Sequence, residues 1–307
     1  MLRFTVVRSA RQCPHGGQPH EISTAWRTLA CVLGSITLAA GSCAAAESNQ
    51  VQLVAPATSP LSAPAGTNTP HLWFSVGEQL RYRISWGVIP VGEIQTTSSW
   101  VVVQGQHVLA ITCRARSNNV LRWLYPVEDK VVTTIDPIGF LPVTFQVDMK
   151  EGKHIRHEIT TFDYVAGIAV WKATNKPKTK TCVIDPEVRD LLSLMYYLRK
   201  DGFGSRSNLT LRALVNGQVC KLPVTINGHE TVKVPGHGNV DCLRLTPTID
   251  FEVSFHKPNS IAVWISADTR GICTRASIDV PVGSITAELI ELSGPGTVHW
   301  PTPAASP

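Results

Sequence analysis

The sequence predicts a mainly antiparallel all-β domain, a large curved sheet or open barrel with one amphipathic helix packed on its concave face. Three observations lead there. Apolar and polar residues alternate with period two in segment after segment, Gly and Asn punctuate those segments at short intervals, and one stretch alone carries apolar residues at helical spacing.

Alternation begins in GEQLRYRISWGVIPVGE, where Leu80, Tyr82, Ile84, Trp86 and Val88 share one face because successive side chains on a strand point to opposite sides. Gln79, Arg81, Arg83 and Ser85 take the other, which therefore meets water. After a turn between Gly87 and Gly92, a strand over 94–103 reaches Gly105, and Leu109, Ile111, Cys113 and Ala115 mark the next. Leu141, Val143, Phe145, Val147 and Met149 alternate most cleanly, and a turn at Glu151-Gly152-Lys153 leads to Ile155 and Ile159. Further strands fall at 168–171, 209–215, 219–226, 242–245, 261–265, 273–280 and 284–292. Asp268-Thr269-Arg270-Gly271 between two of them reads as a tight hairpin turn, with Asp bonding its own backbone.

The helical stretch covers 187–200. Asp185 is placed to cap it, Pro186 to open it, and Val188, Leu191, Leu192, Met195 and Leu198 recur at helical spacing. Its apolar stripe packs into the concave face of the sheet, with Asp190 and Ser193 on the polar side.

The chain divides into a signal peptide over 1–46, a Pro/Ala/Ser-rich tether over 47–70, one β domain over 71–292 and a Pro-rich tail over 293–307. Residues 28–42 are uncharged, follow Arg27 and are too short to span a bilayer, as in a secretory h-region. Two endings compete: a lipobox in Ala40-Gly41-Ser42-Cys43, which would attach lipid at Cys43, and cleavage after Ala44-Ala45-Ala46. The lipobox is favoured, so the protein is expected to be exported, periplasmic or attached to the outer membrane through an N-terminal anchor.

The formal charge of +5 comes largely from Arg3, Arg8, Arg11 and Arg27 in the leader. Beyond residue 46, 24 basic face 22 acidic residues without a basic cluster, which excludes nucleic acid as a partner. A hydrophobic content of 43% excludes a disordered chain.

Four blocks carry a family resemblance: FSVGEQLRYRISWGVIPVGE, then LYPVEDKV with IDPIGFLPVTF, then DLLSLMYYLR, and WISADTRGICTRASIDVPVGSITAEL. In that order, over about 72–292, the chain resembles domain-of-unknown-function family 3108, bacterial exported or lipid-anchored envelope proteins. The resemblance implies an exported antiparallel β protein and supplies no catalytic residue.

Catalytic constellations are sparse. Asp190 and Ser193 lie three apart on the helix but without a nucleophile elbow or neighbouring His. His154 and His157 would face opposite sides of a strand, and His229 and His237 flank a turn without a third ligand, so neither makes a metal site. No cofactor is expected. The five domain cysteines, Cys113, Cys182, Cys220, Cys242 and Cys273, are odd in number, and Cys220 with Cys242 is the expected disulfide.

Aromatic side chains recur instead, at Tyr82, Trp86, Trp100, Phe145, Tyr196, Tyr197 and Trp264 among others. Such rings line a cavity for an apolar ligand or fill a large β core. The expected function is noncatalytic binding or carriage of a hydrophobic molecule, lipid included, with Tyr82, Trp86, Trp100, Phe145, Leu191 and Met195 lining a gap sized for an acyl chain. The alternative is a structural or assembly role in the envelope through an unknown protein partner, and an unrecognised hydrolase ranks third.

Overall fold

The computed structural model describes residues 71–173, 178–200, 203, 206–248, 260–280 and 283–295. Cys43, the segments expected to be a signal peptide and a tether, and most of the expected tail lie outside them.

Among the described residues, fourteen strands form one antiparallel sheet. The first eight are β1 (Gln79–Trp86), β2 (Ile89–Val103), β3 (Gln106–Ser117), β4 (Glu128–Asp136), β5 (Leu141–Glu151), β6 (His154–Asp163), β7 (Ile168–Ala173) and β8 (Lys178–Val183). The rest are β9 (Asn208–Val215), β10 (Gln218–Val234), β11 (Gly238–Pro247), β12 (Ile261–Ser266), β13 (Cys273–Asp279) and β14 (Ser284–Ser293). Each pairs with its sequence neighbour except across β8 and β9, and β14 returns to β1. Circular order thus equals chain order, with a single seam.

The seam is crossed without being zipped. Arg189, in the β8–β9 connection, makes a parallel bridge to Ala213 of β9, and the amide of Leu214 donates to the Arg189 carbonyl at 2.8 Å. Lys180 Nζ of β8 donates to the carbonyl of Asn216 at 3.1 Å. The adjacent Gly217 has φ +69°, and a Cβ there would meet Lys180 Cβ at 3.0 Å and Trp171 Cβ at 3.1 Å. Only glycine fits both that backbone and that approach. The result is an open barrel, as the alternation predicts.

Inward positions fill one continuous core. Leu80, Tyr82 and Ile84 of β1 are buried while Arg81 and Arg83 face out. The alternation stops where Gly87, at φ +56°, turns the chain: Val88 projects from the turn, 95% exposed, and does not join the row. On β5 a register shift between Thr134 and Ile135 of the partner strand buries Pro142, so of the expected row only Val147 and Met149 are fully inside.

Helical structure departs from expectation in two ways. The central helix, α2, spans Leu191–Tyr197 and is capped by Asp190, not Asp185. Asp185 instead accepts the Glu187 amide at 2.9 Å and pairs with Arg212 of β9, which turns the chain across the seam before the helix starts. A second helix, α1 (Asn119–Leu124), caps the β3–β4 connection; its sequence holds too few turns to show a helical period.

Candidate functional site

Helix α2 is buried on nearly every side, so it acts as a plug inside the barrel. It lies between β3–β4 on one flank and β9 on the other. Leu192, Leu194 and Tyr196 are at most 5% exposed, and burying each contributes about 1.5–3 kcal/mol.

Polar groups fix both ends of the plug. At the start, the Asp190 carboxylate accepts the amides of Leu192 and Ser193 at 2.9 Å, the Ser193 hydroxyl at 2.6 Å and the Thr133 hydroxyl of β4 at 2.8 Å. Asp190 and Ser193 are both 0% exposed, so they form an internal latch and not the solvated face read from the sequence. Burial pushes the Asp190 carboxyl up despite four donors that favour its charged form.

At the far end, Arg199 donates from Nη1 and Nη2 to the two Glu78 oxygens at 2.6 and 2.8 Å, and from Nε to the Arg270 carbonyl at 2.8 Å. The guanidinium lies over Phe74 and Tyr196, and the indole of Trp73 donates to the Tyr196 carbonyl at 2.8 Å. Gly271, at φ +55°, brings the β12–β13 turn against Arg199: a Cβ there would stand 3.2 Å from its Cα. The predicted hairpin turn is present, with Asp268 bonded to the Arg270 amide at 3.1 Å, and it serves as a seat for Arg199.

Beneath the plug lies a cavity of about 130 Å³. The helix supplies Leu191, Leu192, Leu194, Met195 and Tyr196; β1 supplies Leu80 and Tyr82; β9–β12 supply Leu211, Leu222, Val224, Leu245 and Val263. Its lining is overwhelmingly apolar. Tyr82 donates its hydroxyl to the Cys273 carbonyl at 3.0 Å, and burial holds that phenol well above its usual range. Cys273 also lines the space, its thiol pushed up by burial to about 12, so it stays protonated and is a poor nucleophile.

Of the six expected lining residues, three reach this cavity: Tyr82, Leu191 and Met195. Trp100 is buried in the core away from it, and Phe145 borders a separate cleft of about 20 Å³ with Trp171 and Glu158. Trp86 is half-buried beside Gly283, near the β1–β2 turn, and is not part of the wall. The strand row splits because β1 runs the length of the barrel and α2 covers only part of it. Residues missed from sequence are Leu222, Val224, Leu245 and Val263, whose alternation marks them as inward but not as neighbours of the helix.

The expected Cys220–Cys242 bridge is absent: both are free thiols, as are Cys113, Cys182 and Cys273. Cys242 pairs opposite Glu230, ten positions along β10 from Cys220, which at strand rise is about 33 Å. His229 bonds Asp241 at 2.9 Å instead of meeting His237, and among the described residues no group of three or more His, Cys, Asp or Glu is placed to hold a metal.

Sheet, seam and plug together define an open antiparallel β-barrel with an internal helix over an apolar cavity. The family model described as "Protein of unknown function (DUF3108)" matches residues 81–290, and the chain belongs to that family. Among solved structures, it is similar to a β-barrel-like protein of domain of unknown function DUF1849 from Brucella abortus, at 12% identity and TM-score 0.49, covering 72% of this chain and 99% of that one. A DUF1329 family protein from Desulfovibrio piger matches at 10% identity and TM-score 0.21, covering 74% of this chain and 89% of that one. A search of curated proteins finds no match.

Proposed function

We propose that this protein binds a small apolar molecule, or the apolar end of a larger one, in the cavity beneath α2, without catalysing its conversion. The observation that carries the reading is the cavity itself: about 130 Å³ of apolar-lined space between α2 and the sheet. Interiors seldom leave such a void, and a cavity of roughly 150 Å³ lined by aliphatic side chains holds one benzene-sized guest. This space suits one ring or short alkyl segment. A whole acyl chain, expected from sequence, exceeds it. The buried charges support binding over chemistry, because Asp190, Arg199 and Glu78 spend their hydrogen bonds on fixing the helix.

Export and an anchor at Cys43 belong to the same proposal and rest on the sequence of the leader. The test is lipid and small-molecule extraction of the protein purified from its native envelope, followed by mass spectrometry, against a Leu222→Trp variant that fills the cavity. A compound enriched in wild type and lost in the variant supports binding; identical extracts overturn it.

A second reading, an assembly role, draws on the solvent-facing groups at the β1–β2 turn and α1, where Val88 is 95% and Trp123 89% exposed. Such groups are common at protein contacts. Replacing Trp123 with Ser would abolish an assembly role and leave ligand extraction unchanged.

A further inference from the structure

Three neighbouring connections share one end of the barrel, because β1, β3 and β5 all run toward it and β2, β4 and β6 return from it. The β1–β2 turn, the β3–β4 connection with α1, and the β5–β6 turn therefore meet there. Hydrogen bonds tie them into one rim: the Asn118 amide donates to the Val91 carbonyl at 2.9 Å, and the Gly152 amide donates to the Pro126 carbonyl at 2.8 Å. Each part of the rim raises an apolar group into water, with Val88 and Ile89 on the first turn, Trp123 on α1 and Ile155 just after the third connection. Apolar side chains scattered singly over a surface are ordinary, but four on adjoining connections mark one face.

Cations stand directly beside this rim. On the outer wall, a cleft of about 410 Å³ opens across β3 to β6, and Arg116, Glu128 and Lys150 on its sides lie within one residue of the strand ends at the rim. Arg114 of β3 is paired directly opposite Lys130 of β4. Like charges so placed repel and cost stability. The carboxylates of the cleft are committed elsewhere: Glu128 faces Arg116 at 3.6 Å, buried Asp129 accepts the Lys150 amide at 3.0 Å, and Asp148 bonds Gln146 at 2.9 Å and His157 at 2.8 Å. Among the described residues, Arg114, Lys130 and the Lys150 ammonium are left without an ion pair. Arg122 and Lys153 add two exposed cations on the rim itself.

We propose that this end of the barrel docks on an anionic lipid bilayer, with Val88, Ile89 and Trp123 entering the interfacial layer and Arg114, Lys130 and Lys150 receiving lipid phosphates in the cleft. Apolar groups carried on the tips of separate turns need no complementary surface to enter a deformable layer, and an indole is well suited to the depth of the headgroups. The negative surface of such a bilayer supplies the countercharge that the chain withholds from Arg114 and Lys130. This surface lies outside the barrel and does not rest on the cavity reading.

Vesicle flotation tests the docking, using the full chain with Cys43→Ser so that no lipid anchor contributes; the leader is common to every variant compared. Vesicles of phosphatidylcholine with phosphatidylglycerol should carry the protein, and phosphatidylcholine alone should carry it at least about tenfold less. The double variant Arg114→Gln, Lys130→Gln should bind the anionic vesicles about 25-fold more weakly, roughly fivefold for each cation removed. Lys221→Gln, Lys233→Gln takes the same charge from exposed positions of β10, far along the sheet from the cleft, and should stay within about threefold because salt screens distant charges. The Arg114 and Lys130 variant relieves a repulsion, so it should melt no lower than its parent, which shows that weaker binding is not unfolding. The emission that Trp123→Phe removes should shift to the blue on the anionic vesicles and be quenched by brominated lipid. Equal binding to the two kinds of vesicle, equal losses in the two double variants, or a Trp123 emission that vesicles leave unmoved would overturn the proposal, and the last of these would return the rim to a protein partner.

Discussion

Asp190 sits where a carboxylate is costly, 0% exposed at the start of a helix, and its four donors make it tolerable. Because burial raises its folded-state pKa above the unfolded value, the folded state holds that proton over a window in which the unfolded chain has released it. Its contribution to stability is then fully present below the unfolded pKa and is lost as pH rises through the folded one. Denaturant melts of wild type and Asp190→Asn at a series of acidic pH values should show the difference moving in favour of wild type as pH falls; a flat difference would show that Asp190 does not titrate abnormally. The Arg199–Glu78 pair makes a stronger demand. Glu78→Gln leaves a guanidinium that is 6% exposed without its countercharge, and a loss of about 3–5 kcal/mol is expected in the same melts. A loss below 1 kcal/mol would mean that the pair is not what fixes the end of the helix.

The elements differ in how plainly the sequence announces them. Strands such as β1, β3 and β13 are legible because their inward residues are aliphatic or aromatic. Strand β4 is not, since it turns Asp129 and Thr133 inward to bond the Lys150 amide and the Asp190 carboxylate, and polar residues at core positions erase the period. Strand β8 reads KTKTCV and lies at the sheet edge, where lysines guard an unpaired rim. Asp185-Pro186 carries the signal of a helix start, yet the seam claims Asp185 for Arg212, a partner distant in sequence. For the cavity, the helical period points to Met195 and Leu191, but nothing local brings Leu222 or Val263 to them. Seam packing itself is testable. Gly217→Ala should cost more than Gly105→Ala, because Gly105 shares a positive φ of +77° but has nothing within 4 Å of its would-be Cβ. The backbone term is about 1–2 kcal/mol in both, and equal losses would mean that the close approach to Lys180 and Trp171 does not constrain the seam.

For the molecule as a whole, the barrel, its plug and its leader make one proposal: a domain that holds an apolar guest and stands off a membrane on a tether. Replacing Cys43 with Ser should release the protein from membrane fractions, and an unlipidated wild type whose intact mass begins at Glu47 would remove the anchor while leaving the domain untouched. The cavity is the centre of the claim, and xenon tests it most directly, because the gas enters apolar voids without needing polar contacts. In crystals pressurised with xenon, an anomalous peak is expected between Met195, Leu222 and Val263, absent in Leu222→Trp crystals. Wild-type crystals with those side chains collapsed together and no xenon beneath α2 would contradict it.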